Sequence, residues 1–185
     1  MAGPAAEEPR LAPKPPDTWD DETRALAGRN PINIFATLAH HPKLMKRWMV
    51  FGNHVLAKST LSARDRELLI LRTGWNCRAP YEWGQHVAIA RTVGITDEEV
   101  ASVAAGPDAA GLDPFEALLL RAADELHGDS SLSDATYAAL AERYDEQQML
   151  DLVFTVGQYH LVSMALNSMR VQRDDGVTGV PIPER

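Results

Sequence analysis

The chain has 185 residues, 45% of them hydrophobic and 24% charged, which suits one domain around a single core. A formal net charge of -8 leaves no basic surface for phosphates and argues against nucleic acid as a partner. The one cysteine, Cys77, excludes an intrachain disulfide and a multi-cysteine zinc site. No apolar run of membrane-spanning length is expected, and the first residues lack the charged-then-apolar order of a signal sequence; a reducing cytoplasm is the expected compartment.

Residues 1–18 carry Pro4, Pro9, Pro13, Pro15 and Pro16 among small and charged residues. Such a stretch buries too little to fold alone. It reads either as a tail without structure of its own or as an arm lying across a neighbouring subunit. Residues 19–185 read as a single helical domain. Pro42 opens an amphipathic segment to about Ala57. Ser62 followed by Asp65 resembles a capping box before the run Glu67 to Trp75. Pro80 starts the next helix and Gly94 ends it. Thr96 with Glu99, then Asp113 with Pro114 and Glu116, mark two further starts. Asp145 with Gln148 opens a last helix that runs to about Val171. No stretch alternates apolar and polar residues long enough for a strand, so the predicted class is all-α. The last helix is apolar nearly all round, which predicts burial on most sides and, in a chain this small, self-association.

Glu82 and His86 are i and i+4 on the helix opened by Pro80, so their side chains share a face. A carboxylate beside an imidazole fixes the ring's tautomer and raises its pKa, as a general acid–base requires. The alternative is a surface ion pair of little weight. Tyr81, Trp83, Val87 and Ile89 around the pair argue for a partly buried setting. Glu67 is either an N-terminal helix charge or a second carboxylate turned toward the same site. In the last helix Tyr159, His160, Ser163 and Asn167 interrupt the apolar pattern; they either satisfy one another or line a polar-edged pocket. Glu67, Glu82 and His86 would also make a metal set, but the spacing is not that of a zinc peptidase and no metal is expected. Cys77 reads as a small buried hydrophobe, and Arg72 as a carboxylate anchor or a structural residue. His40, His41, His54 and His127 are assigned no role.

Three segments carry a resemblance. They are Leu-Ser-Ala-Arg-Asp-Arg-Glu-Leu-Leu-Ile-Leu-Arg from Leu61 to Arg72, Tyr-Glu-Trp-Gly-Gln-His-Val-Ala-Ile-Ala from Tyr81 to Ala90, and Val-Gly-Gln-Tyr-His from Val156 to His160 with Ala165-Leu-Asn167. Over roughly residues 30–172 the chain resembles the carboxymuconolactone decarboxylase-like, or alkylhydroperoxidase D-like, proteins. That resemblance implies an all-helical bundle assembled as trimers or hexamers. Redox members carry Cys-x-x-Cys, a histidine four residues after the second cysteine and a glutamate twelve before the first. Here those positions hold Ala79, Glu82, His86 and Glu67, and Cys77 is out of register. Members resembling the true decarboxylases carry Glu-x-x-x-His at this place. The resemblance therefore implies a cofactor-independent acid–base enzyme that decarboxylates or isomerises a small carboxylated lactone or related ring. Its expected catalytic residues are Glu82, His86 and Glu67, with Tyr81, Trp83, Tyr159, His160 and Asn167 at the substrate. The alternatives are a thiol-dependent, peroxidase-like antioxidant protein using Cys77, or a ligand-binding oligomer without catalysis.

Overall fold

The computed structural model describes residues 8–28, 31–174 and 183. Among them the regular structure is helical: α1 Asp21–Ala27, α2 Asn33–Leu38, α3 Pro42–Ala57, α4 Ala63–Asn76, α5 Pro80–Thr92, α6 Asp97–Ala105, α7 Pro114–Asp129, α8 Asp134–Ala141 and α9 Glu146–Met169. The all-α class read from the sequence is the observed one. The predicted starts lie where the cap chemistry puts them. Thr96–Glu99, Asp113–Glu116 and Asp145–Gln148 each form reciprocal capping boxes, and Gly94 takes a positive φ of 84° just past α5. Ser62 forms only half of the expected box, accepting from the Asp65 backbone N–H. The Asp65 carboxylate instead accepts the Tyr144 hydroxyl at 2.8 Å, tying α4 to the turn before α9.

α4 is the axis of the domain. Leu68, Leu69, Ile70 and Leu71 are consecutive and all buried, so every side of this helix faces protein. α5, α6, α7 and α9 pack around it, with Trp83, Val87, Val100, Leu119, Leu120 and Leu152 filling the main core. Arg72 belongs to this scaffold. Its guanidinium holds both Asp124 oxygens at 2.6 and 2.8 Å and caps the end of α6 through the carbonyls of Val103 and Ala104. Gly106 lies so close that a Cβ there would sit 3.2 Å from the guanidinium, and its φ of +114° suits glycine as well. The reading of Arg72 as a carboxylate anchor is thereby excluded in favour of the structural one.

Two expectations are corrected. First, α9 is long and apolar enough to cross a membrane by length and composition, with mean hydropathy 1.3 over its best window, contrary to the reading that no run reaches that length. In the fold half of that window is buried, with Leu152, Val156, Val162 and Leu166 facing inward as a core helix does. Second, the described part of the proline-rich arm lies on its own chain. The N–H groups of Arg10 and Leu11 donate to Met169 O at the end of α9, and Lys14 N–H donates to Ala36 O of α2. Trp19 is buried with Ala27, Ala36, Ala39 and Met45 in a small second core. Residues 1–7 of the arm lie outside the described residues.

Candidate functional site

Glu67 sits in the second turn of α4, and Glu82 and His86 in the first two turns of α5, where the two helices pack together. The three side chains converge. His86 Nδ1 is 2.7 Å from Glu67 Oε2, and His86 Nε2 is 3.0 Å from Glu82 Oε1. Carboxylates accept at both ring nitrogens, so both nitrogens carry protons when the ring is charged. All three groups are buried, Glu67 completely. Burial by itself lowers the His86 pKa, but the hydrogen bonds and charges of Glu67 and then Glu82 outweigh it and raise it to about 9. The Glu82–His86 pair is thus no surface ion pair, and Glu67 is the second carboxylate turned toward it. Tyr159 of α9 meets the imidazole edge-on, ring centroids 4.8 Å apart. Burial, then the negative charge of Glu82, holds the Tyr159 hydroxyl protonated well beyond its ordinary range.

The cluster opens on a cavity of about 140 Å³ with Glu82, His86 and Tyr159 in its wall and Glu67 behind them. The rest of the wall is largely apolar, from Ile34 and Phe35 of α2, Trp48 and Met49 of α3, and Ile89 of α5. A dry cavity of roughly 150 Å³ takes a benzene-sized molecule, so the space fits one ring. Two polar groups in this wall are buried without a hydrogen-bond partner, the Trp48 indole N–H and the Gln158 amide oxygen. Neither was singled out by the sequence, although a glutamine beside Tyr159 breaks the apolar pattern of α9 as plainly as the tyrosine does.

The structure brings together only some of the residues expected at a substrate. Tyr81 lines the cavity, but its hydroxyl is engaged, donating to Asp174 at 2.6 Å and accepting from Ile34 N–H at 3.0 Å. Trp83 does not reach the cavity; it is fully buried in the main core against Trp75. His160 and Asn167 do not reach it either, because one residue along α9 from Tyr159 the side chains leave on another side. His160 Nε2 lies 2.8 Å from His127 Nδ1 of α7, and Asn167 donates to Cys77 O at 2.9 Å. Cys77 Sγ completes this second cluster, 3.9 Å from His127 Nδ1. Burial raises its thiol pKa. The polar stripe of α9 therefore serves two places, and Ser163 and Asn167 do not satisfy one another: the Ser163 hydroxyl and the Asn167 amide oxygen are buried without a nitrogen or oxygen partner.

Residues 42–125, from α3 to α7, match the Carboxymuconolactone decarboxylase family. No curated protein matches the chain. The fold is that of solved structures of low identity. One is an uncharacterized peroxidase-related protein with the alkylhydroperoxidase AhpD core from Ralstonia eutropha JMP134, at 20% identity and TM-score 0.80, covering 91% of this chain and 95% of that one. Another is an uncharacterized peroxidase-related protein from Silicibacter sp. TM1040, at 15% identity and TM-score 0.80, covering 94% and 96%. A third is a debrominase in complex with 2,3,4-tribromopyrrole, at 13% identity and TM-score 0.70, covering 91% and 94%. With Glu82 and His86 inside the segment that matches the Carboxymuconolactone decarboxylase family, and the helical frame shared over nearly its whole length, the chain resembles that family from α3 to α7 and has the alkylhydroperoxidase D-like fold.

Proposed function

We propose that the protein is a cofactor-independent acid–base enzyme that decarboxylates or isomerises a small ring compound of the carboxylated-lactone type. The observation that carries this reading is the line Glu67, His86, Glu82, ending on a one-ring cavity. Glu67 holds Nδ1 and keeps the ring charged; Glu82, on the cavity side, takes a proton from Nε2 and passes it on. The orienting carboxylate is thus Glu67, and Glu82 is the group that touches substrate, the reverse of the order suggested by helical spacing. In a decarboxylation the bond to the carboxyl carbon breaks, carbon dioxide leaves, and the electron pair flows into the substrate's conjugated carbonyl. The resulting dienolate carbon then takes a proton from Glu82; His86 Nε2 reprotonates Glu82 and regains its own proton from solvent, one proton being consumed for each carbon dioxide released. The Trp48 N–H, buried without a partner in the wall, is the donor to meet the carboxyl or the enolate oxygen, since no lysine or arginine lines the cavity among the described residues; the unpartnered Gln158 amide oxygen can only accept.

Turnover of a panel of single-ring lactone acids, followed by loss of ring absorbance, tests the reading. Glu82→Gln keeps the volume and one hydrogen bond but cannot carry the proton; a loss of at least about 100-fold is expected with helical circular dichroism unchanged. Wild-type rates in Glu82→Gln reject it. The thiol-dependent reading is supported less, because Cys77 lies outside this cavity and burial raises its pKa.

We also propose that the chain self-associates through the outer side of α9. Leu150, Phe154, Leu161 and Met164 are 60%, 54%, 55% and 64% exposed, and Phe51 of α3 extends the patch, its ring 6.0 Å from that of Phe154. An apolar stripe at this spacing suits a second helix of the same kind. Leu161→Glu with Met164→Glu is expected to lower the sedimentation mass; an unchanged mass rejects this face.

A further inference from the structure

The second cluster has no part in the proton-transfer site. Its donor atoms are Cys77 Sγ at the end of α4, His127 Nδ1 in the last turn of α7 and His160 Nε2 on α9, all within 4.8 Å of one another. We propose that these three residues bind a thiophilic d10 metal ion, Zn²⁺ or Cu⁺.

Each donor is held in place. His160 Nδ1 lies 3.0 Å from Val156 O, one turn back on α9; a carbonyl only accepts, so Nδ1 carries the proton and Nε2 presents its lone pair to the cluster. His127 Nδ1 donates to that lone pair at 2.8 Å, and the two rings stack with centroids 5.0 Å apart. Cys77 is fixed from both sides. Asn167 donates to its carbonyl, and Arg78 after it takes the left-handed φ of 48° that turns the chain sharply into Ala79. The Ser163 hydroxyl is completely buried beside the thiol and has no nitrogen or oxygen partner.

The distances are those of a site one small adjustment from closure. Tetrahedral Zn²⁺ with bonds of about 2.0–2.1 Å to nitrogen and about 2.3 Å to sulfur separates its donors by roughly 3.3–3.6 Å. The pairs here measure 2.8 Å between the nitrogens and 3.9 Å from His127 to sulfur. Loading moves the His127 proton from Nδ1 to Nε2 and releases the Cys77 thiol proton to solvent, after which each donor gives one electron pair. His127 is exposed and supplies the way in. Two imidazoles and one thiolate select Zn²⁺ or Cu⁺ over Mg²⁺ or Ca²⁺, and three protein ligands leave a fourth position for water or a small anion.

The test is titration of the full reduced chain with Co²⁺, then displacement by Zn²⁺ and, without oxygen, by Cu⁺, with Mg²⁺ as the control. One equivalent of Co²⁺ is expected to give a thiolate charge-transfer band and the visible bands of a four-coordinate ion, abolished by Zn²⁺ and untouched by Mg²⁺. Cys77→Ser must remove the charge-transfer band, and His127→Ala and His160→Gln must each weaken Co²⁺ binding at least about 100-fold, with circular dichroism unchanged. Bound Zn²⁺ must also slow alkylation of Cys77 by iodoacetamide at least tenfold. Absence of a stoichiometric complex, or binding indifferent to these three substitutions, overturns the proposal. Binding abolished by Glu82→Gln but kept in Cys77→Ser overturns it too, since the ion would then sit at the other cluster.

Discussion

His86 and His160 are buried to different degrees in one small protein, and their surroundings give them opposite equipment. His86 lies between two carboxylates, each within 3.0 Å of a ring nitrogen, and is built to stay charged. His160 faces a second imidazole and a thiol, and its Nδ1 donates to the backbone carbonyl of Val156. The same two helices serve both clusters. α4 gives Glu67 near its head to one and Cys77 at its tail to the other; α9 gives Tyr159 to one and His160, the next residue, to the other. What a buried histidine does is thus decided by the chemistry facing it, and one residue along a helix is enough to change that chemistry.

The comparison breaks or sharpens on three measurements. The largest effect belongs to His86→Ala, which leaves Glu67 and Glu82 buried without their shared partner; unfolding in urea at pH 7 is expected to show a loss of about 3–5 kcal/mol. A loss below about 1 kcal/mol would mean that the ion set is not what the distances imply. Next comes pH. The His86 pKa is raised in the folded state, from 6.5 to about 9, so its stabilisation is full below pH 6.5 and fades as pH rises through 9. The expected loss between those limits is on the order of 3 kcal/mol, and Glu67→Gln should flatten the curve. Stability that rises with pH over that window would sink the assignment. The smallest effect is at the other cluster: without metal, Cys77→Ser should shift the urea midpoint by the equivalent of less than about 1 kcal/mol. A larger shift would show that the thiol is a packing element before it is a ligand.

Much of the frame was legible from local chemistry. Caps at Thr96, Asp113 and Asp145 depend on residues three apart, and Glu82 and His86 on residues four apart, so the sequence displays them directly. Glu67 stayed ambiguous until its helix was seen packed on α5. Trp83 lies outside the site because the residues on either side of Glu82 point in different directions round the helix: Tyr81 reaches the cavity and Trp83 turns into the main core. Cys77, His127 and His160 meet from positions 50 and 33 residues apart, across three helices, and no local spacing announces such a set. Asp65 looked like the second half of a cap but found a stronger partner in a tyrosine 79 positions away.

The hydrogen bonds from Arg10 and Leu11 to Met169 join the two ends of the described chain, and the segment they hold down runs on through the small Trp19 core to α2. That core is separate from the one around α4, yet Ile34 and Phe35 on α2 wall the cavity. A region so divided is expected to exchange its amide protons in two tiers, slow for α4 and faster for the early helices. Exchange faster in α2 than in α4 would show that the Ile34 and Phe35 wall over Glu82 and His86 opens while the main core stays shut.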